Sequence, residues 1–223
     1  TRTMDDILKC DLIISGSGWM SHLEVEVIRQ AKLRNIPCLT ILDHWVNYLE
    51  RFGTEEETQP QMLAVTNTMA LEIAQDKFPN RFIWLIPDLQ INTYKQALRG
   101  VQAIPNCILV ILEPVSITNT EFEINIEIIL GLVASAISIK EARGLERMIV
   151  RLHPSQIDDP TLIRNLEALA GKFEISKGLD LINDLEIADV VLGMSSYALY
   201  ISSMCGLETY SCFASNSTHW TRW

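Results

Sequence analysis

The sequence predicts an α/β fold in which two doubly wound parallel sheets face each other across a cleft. Short, continuously apolar segments alternate with segments of helical periodicity, which is typical of parallel strands buried by helices. The alternation breaks down over residues 88–106 and then resumes. We therefore expect a partial N-terminal domain over 1–95, a linker over 96–106 and a C-terminal domain over 107–223.

The first half is expected to contain four strands, each an apolar run bounded by polar or turn-forming residues. Helical periodicity fills the stretch after the first strand and the stretch after the third. The predicted strands are "DLIIS" (11–15), "IPCLTILD" (36–43), "MLAVT" (62–66) and "RFIWLIP" (81–87), and the predicted helices cover 21–34 and 68–78.

The second half repeats the pattern with five expected strands and three helices. The strands are "CILVILEP" (107–114), "RMIVRL" (147–152), "KFEIS" (172–176), "DVVLG" (189–193) and "LETYSCF" (207–213), and the helices lie near 121–143, 160–171 and 195–205. The sequence opens on a helical tail and closes on the aperiodic "ASNSTHWTRW". We therefore expect it to be a fragment of a larger two-domain protein.

Composition indicates a globular protein of the cytoplasm. Of the 223 residues, 48% are hydrophobic and 21% charged, which is enough apolar material for one large core or two modest ones. The first ten residues carry no apolar signal segment, and no apolar run approaches the roughly 20 residues of a membrane span. The five cysteines are odd in number and widely scattered, so we expect reduced thiols.

Charge argues against a nucleic-acid partner. The net charge is −10, and the 18 lysines and arginines are spread along the chain without a basic cluster. An acidic protein can still bind a single nucleotide, because helix N-termini and a few local donors suffice. The sequence leaves the oligomeric state open.

The segment "ADVVLGMSSYALYISSMCG" (188–206) is the most informative part of the sequence. A predicted strand stops at Gly193, and Ser195 and Ser196 then open a helix. Hydroxyls and unpaired N–H groups at this edge of a parallel sheet can bind a phosphate. The alternative is that Ser195 only caps the helix, which serine does well.

A second candidate lies in "MIVRLHPSQ" (148–156), where a predicted strand ends in His153 and Pro154. Proline fixes its own φ and disfavours helix for the residue before it, so the backbone sets the direction of the imidazole. This predicts a histidine at the same sheet edge as the two serines. The alternative is an imidazole that caps a carbonyl group. Arg151 is expected to point into the sheet and is assigned no role.

The segments "VRLHPSQ" and "ADVVLGMSSYALY" resemble the His-Pro and Ser-Ser motifs of bacterial sialyl- and polysialyltransferases and of CDP-glycerol glycerophosphotransferases. These proteins share the GT-B architecture of two Rossmann-like domains with the UDP-N-acetylglucosamine 2-epimerases. The resemblance covers mainly residues 107–213. It implies that His153 contacts or protonates the leaving phosphate of the donor, and that Ser195 and Ser196 bind phosphate oxygens. In the first half, "DLIISGSGWMSHLE" and "IPCLTILDHW" are similar to late strands of a GT-B N-terminal domain.

The chain departs from that family pattern on the acceptor side. The sialyltransferases carry an acidic tripeptide ending in glycine, whose carboxylate acts as the base, and no such tripeptide occurs here. Asp43 and His44, at the end of the second predicted strand, are the nearest substitutes and are our candidates for the base.

The first glycine turn supports a rival interpretation. Gly16, Ser17 and Gly18 follow a strand and Asp43 ends the next one, which imitates a dinucleotide-binding fingerprint with its ribose-binding acid. Ser21 replaces the third glycine, and with Glu24 it forms a capping box. The turn could equally present its N–H groups to a donor or an acceptor.

Glu113 ends the strand "CILVILEP" and is a candidate for binding a sugar or ribose hydroxyl, the alternative being a salt-bridged acid in a surface loop. Trp45, Tyr48 and Phe52 recur at helical spacing, which favours a core stripe over a sugar-stacking surface. No spacing typical of a metal site occurs, so we expect no metal and no cofactor.

Together these features predict metal-independent transfer of a sugar or related group from a nucleotide-activated donor, which is the substrate, to a saccharide-type acceptor. Two alternatives stay open. One is an oxidoreductase that binds NAD(P) or flavin through the Gly16 turn, and the other is a catalytically silent fragment of this fold.

Overall fold

The computed structural model describes residues 9–18, 22–45, 47–99, 106–114, 125–169, 172–178, 180–212 and 221–222. The chain divides into two compact units, which we call unit 1 (Thr1–Leu89) and unit 2 (Gln90–Trp223). Strands and helices alternate through both units, and each unit has its own sheet of parallel strands. The predicted α/β class with two Rossmann-like halves is therefore confirmed.

Unit 1 contains one parallel sheet with the order β1-β2-β3-β4. Its strands coincide with the four apolar runs of the first half of the sequence. The elements of unit 1 are β1 (Ile13–Ser15), α1 (His22–Leu33), β2 (Cys38–Leu42), α2 (Tyr48–Phe52), β3 (Met62–Val65), α3 (Thr68–Lys77) and β4 (Phe82–Leu85).

The strand order of unit 1 has a consequence for the two faces of its sheet. Crossovers between parallel strands are right-handed, so strands added in one direction place their helices on one face. On that face Leu42 and Leu63 are almost fully buried. On the opposite face Ile14, Phe82 and Trp84 are 62%, 58% and 42% exposed. Within its described residues, unit 1 therefore differs from the sheet covered on both faces that we predicted.

Unit 2 contains a six-stranded sheet with the order β10-β9-β8-β5-β6-β7. All neighbouring strands are parallel except β10, which pairs antiparallel with β9 at the edge. The strands are β5 (Cys107–Ile111), β6 (Arg147–Arg151), β7 (Glu174–Ser176), β8 (Val190–Gly193), β9 (Glu208–Ser211) and β10 (Thr221–Arg222). The helices are α4 (Leu89–Ala97), α5 (Ile126–Arg143), α6 (Pro160–Ala168), α7 (Leu181–Leu185) and α8 (Tyr197–Met204).

Helices cover both faces of the unit 2 sheet. On one face, α5 and α6 contribute Val133 and Leu162 to a core with β5, β6 and β8. On the other face, α4, α7 and α8 contribute Ile91, Leu185 and Leu199 to a second core. β5 lies in the middle and is buried along its whole length, as the apolar run "CILVI" predicts.

Helix α4 begins beside the boundary between the units and packs on unit 2 through Ile91. Of the predicted linker over 96–106, residues 100–105 lie outside the described part of the chain. The domain bounds drawn from the sequence stay a prediction. All five cysteines are free thiols, and among the described helices none is long and apolar enough to cross a membrane.

Candidate functional site

The order of strands in unit 2 marks one place on its sheet edge as a potential ligand site. The chain runs from β5 to β6 and β7 on one side, and then returns to β8 and β9 on the other side of β5. The winding direction therefore reverses between β5 and β8. Ligands of open α/β sheets bind beyond the carboxyl ends of the strands at such a switch point. Glu113 follows β5, and Ser195 and Ser196 follow β8, at this position.

Glu113 is bound directly by the residues that follow β8. Its Oε1 accepts a hydrogen bond from the backbone N–H of Ser195, and its Oε2 accepts one from Ser195 Oγ at 3.2 Å. Burial raises the pKa of Glu113. The hydrogen bonds from Ser195 and from the N–H groups of Ser196 and Met194 lower it, but by less than burial raises it. The carboxylate thus lies at the start of α8, and the alternative of an exposed loop acid is wrong, since Glu113 is 8% exposed.

The cap of α8 is Ser196, whose Oγ accepts a hydrogen bond from the N–H of Leu199 at 3.2 Å. Ser196 and not Ser195 therefore caps the helix, and the hydroxyl of Ser195 donates to Glu113. Gly193 lies in a closely packed position. A Cβ there would lie 3.2 Å from Leu199 Cδ1 and 3.3 Å from the carbonyl oxygen of Ile111.

His153 has the extended backbone that the following Pro154 favours, with φ −66° and ψ 147°. Its ring Nδ1 accepts a hydrogen bond from the N–H of Ser155 at 3.2 Å and lies 2.8 Å from Ser155 Oγ. The imidazole therefore caps an amide of its own turn, and not a carbonyl as the alternative had it. Burial lowers the pKa of His153, which favours the neutral ring. Because Nδ1 accepts from the N–H of Ser155, the proton of the neutral ring is on Nε2.

A chain of hydrogen bonds joins the loops that follow β5, β6 and β8. The backbone N–H of His153 donates to Gln156 Oε1 at 3.0 Å, and Gln156 Nε2 donates to the carbonyl oxygen of Glu113 at 2.7 Å. Glu113 in turn accepts from Ser195. Among the described residues no hydrogen bond joins the imidazole directly to Ser195 or Ser196. The structure thus brings the predicted loops to one sheet edge and links their backbones through Gln156, a residue that the sequence analysis missed.

Arg151 lies at the end of β6 and faces the core that contains α7. Its Nη1 is 2.5 Å from Asp184 Oδ2, and both side chains are buried. Ser176 Oγ donates to the same carboxylate at 2.8 Å. Because this buried ion pair connects β6, β7 and α7, we assign it a structural role, in line with the inward direction predicted for Arg151.

A second polar cluster lies at the carboxyl ends of β1 and β2 in unit 1. Ser17, between Gly16 and Gly18, donates from its Oγ to Asp43 Oδ1 at 3.2 Å. Arg51 Nη1 donates to the same oxygen at 2.5 Å and to the Ser17 carbonyl oxygen at 2.6 Å. The structure thus joins predicted site residues from two loops, and adds an arginine that the sequence analysis did not single out.

The position of Arg51 follows from its helix. Tyr48, Arg51 and Phe52 stand at i, i+3 and i+4 in α2, so they share one face, and all three are buried. Both aromatic rings contact Phe78 at centroid distances of 6.1 and 6.2 Å. The predicted core stripe is confirmed, with Trp45 also buried. The sequence signal that could have identified Arg51 is its charge within a stripe that is otherwise aromatic.

His44 follows Asp43 and is tilted against Trp45 at 4.4 Å between ring centroids. Burial first, and the charge of Arg51 second, lower the pKa of His44 to about 4. The imidazole is therefore neutral at pH 7 and a much weaker base than an ordinary histidine.

The glycine turn shows no packing that requires glycine at its first position. A Cβ on Gly16 would meet nothing within 4 Å. The carboxylate of Asp43, which the dinucleotide interpretation assigns to a ribose, is engaged by Arg51. Ser21, which replaces the third glycine and forms the predicted capping box, lies outside the described residues.

Within the described ranges, no group of three or more His, Cys, Asp or Glu side chains is placed to hold a metal ion. The fold and the two polar clusters define an α/β protein with two Rossmann-like sheets and a polar group at the carboxyl edge of each. No protein-family model matches the chain, and no curated protein matches it.

Proposed function

We propose that the chain is a glycosyltransferase-like protein, which moves a sugar or related group from a nucleotide-activated donor to a saccharide-type acceptor. The supporting observation is the set of hydrogen bonds that joins the loops of His153, Glu113 and Ser195 at the switch point of unit 2. In open α/β sheets, ligands that include dinucleotides and FMN bind at this position.

The proposed chemistry needs groups that stabilise charge on a leaving phosphate. As the bond between sugar and phosphate oxygen breaks, the hydroxyls of Ser195 and Ser196 and the first amides of α8 would donate to that phosphate. The neutral ring of His153 would donate a hydrogen bond from its Nε2–H to a phosphate oxygen, and the hydrogen bond that Nδ1 accepts from Ser155 orients the ring for this. Transfer completes when the sugar carbon bonds to an acceptor oxygen, whose proton a base removes.

Glu113 occupies part of the surface that this proposal gives to the phosphate. Its carboxylate accepts from the N–H and the hydroxyl of Ser195. A phosphate that takes over these donors must displace the carboxylate, and the buried position of Glu113 lowers the cost of protonating it on the way. A carboxylate at this point also suits hydrogen bonding to a ribose or sugar hydroxyl of the bound donor.

For the base, unit 1 offers Asp43 in preference to His44. The Asp43 side chain is 72% exposed, so a substrate can reach it. The pKa of His44 is lowered to about 4, which makes its ring a poor proton acceptor. We therefore assign the base to Asp43 within the proposal.

A thermal-shift panel with CMP, CDP, UDP, GDP and NAD(P) tests the proposal. We expect one pyrimidine nucleotide to raise the melting temperature by several degrees at saturating concentration, because binding to the folded state stabilises it. A matched variant, Ser195→Ala, should reduce this shift. Stabilisation by NAD(P) alone would support the oxidoreductase alternative, and no shift with any nucleotide would support a silent fragment.

A further inference from the structure

We infer that Arg51 is a positioning residue, which holds the carboxylate of Asp43 and the loop of Ser17 together as a fixed acceptor for the hydroxyl groups of a saccharide. The inference rests on the proposed function for the class of ligand. It concerns unit 1 alone.

The contacts of Arg51 connect two loops through one nitrogen atom. Nη1 donates to the carbonyl oxygen of Ser17 at 2.6 Å, to its Oγ at 3.0 Å and to Asp43 Oδ1 at 2.5 Å. Ser17 Oγ also donates to Asp43 Oδ1 at 3.2 Å. The same carboxylate oxygen thus accepts hydrogen bonds from two side chains, those of Ser17 and Arg51, which restrain it from two elements.

The exposure of the two charged partners is very unequal. The Arg51 side chain is 6% exposed, whereas that of Asp43 is 72% exposed. The guanidinium therefore lies beneath the sheet edge and the carboxylate lies at its surface. An ionised carboxylate only accepts hydrogen bonds, so this exposed carboxylate suits a ligand hydroxyl.

Stability alone does not account for this arrangement. Arg51 Nε is buried, and among the described residues it has no hydrogen-bond partner. A buried cation with an unsatisfied donor costs free energy, and apolar side chains of similar volume often serve a core as well or better. The two aromatic neighbours of Arg51 in α2, Tyr48 and Phe52, already anchor the helix on Phe78. We attribute the presence of the Arg51 cation in this stripe to its hydrogen bond with Asp43, which holds the carboxylate in place.

The test is an NMR titration of the ¹⁵N-labelled full chain with glucose, galactose and N-acetylglucosamine. In the wild-type protein we expect at least one of these sugars to shift the amide signals of Ser17, Gly18 and Asp43. In Arg51→Met the dissociation constant should rise at least tenfold, and in Arg51→Lys it should rise less, because lysine keeps the charge but has a single donor centre. Arg29→Met, which removes an exposed arginine of α1, is the control and should leave binding unchanged.

Two results would overturn the inference: no shift at these amides with any of the sugars, or equal binding by wild type and Arg51→Met. Arg51→Lys decides the question if Arg51→Met does not fold, since equal affinity of the lysine variant and wild type would contradict a positioning role. The proposed function has a separate readout in the same spectra. Nucleotide-induced shifts of Ser195 and Ser196 report it, and their absence would count against that function while the sugar result stands.

Discussion

At the scale of single residues, the most informative side chain is Glu113. The carboxylate of Glu113 lies among backbone N–H groups at the start of helix α8, where negative charge is favoured. Burial at the same position opposes its ionisation. Its position depends on the meeting of two loops 82 residues apart in the sequence. The sequence could show that Glu113 ends a strand, but not that it meets Ser195, because strand order decides which loops are neighbours.

Glu113→Gln tests the electrostatics of this site. A raised pKa in the folded state means that the acid contributes stability below its ordinary pKa and loses it as the pH rises through the folded value. We expect the melting temperature of the wild type, relative to that of Glu113→Gln, to fall by a few degrees between about pH 4 and pH 7. Circular dichroism across this range measures it. Glu174→Gln, at an exposed position of β7, is the control, and a difference that does not change with pH would contradict the assignment.

At the scale of elements, the strands were predictable and the polar contacts between elements were not. A continuous apolar run such as "CILVI" predicts a buried parallel strand, and this prediction does not depend on which strands are its neighbours. Arg51 was missed for the opposite reason. An arginine in a short helix is ordinarily a surface residue, and its partners Ser17 and Asp43 come from two other loops. The segment 180–188 could not be assigned to a helix or a strand from its sequence, because its helix α7 is only five residues long and too short to show helical periodicity.

The buried pair of Arg151 and Asp184 is predicted to hold β6, β7 and α7 together. Asp184→Asn leaves the cation of Arg151 buried without its carboxylate, which typically costs about 3–5 kcal/mol. Chemical denaturation should therefore show a large loss of stability. Glu174→Gln breaks the exposed pair with Arg147 and should have little effect. Similar losses in the two variants would show that the buried pair has no special role.

At the scale of the whole molecule, the two units differ in how their sheets are covered. The reversal of strand order in unit 2 places helices on both faces and creates the switch point. The sequential order of unit 1 leaves Ile14, Phe82 and Trp84 exposed on one face. Periodicity in the sequence reveals that strands and helices alternate, but it does not reveal strand order. The two sheets could therefore be predicted, while the exposed side chains on one face of unit 1 and the switch point of unit 2 could not.

The central claim is that the phosphate of a nucleotide binds where the loops after β5, β6 and β8 meet. The most direct measurement is to map nucleotide-induced amide shifts in wild type and in His153→Ala. We expect CMP, CDP or UDP to shift the amides of His153, Ser195 and Ser196. His153→Ala should weaken binding by about tenfold, or about 1.4 kcal/mol, and lower the melting temperature of the free protein by only a few degrees. Shifts confined to Gly16–Gly18, or equal affinity in both proteins, would contradict the claim.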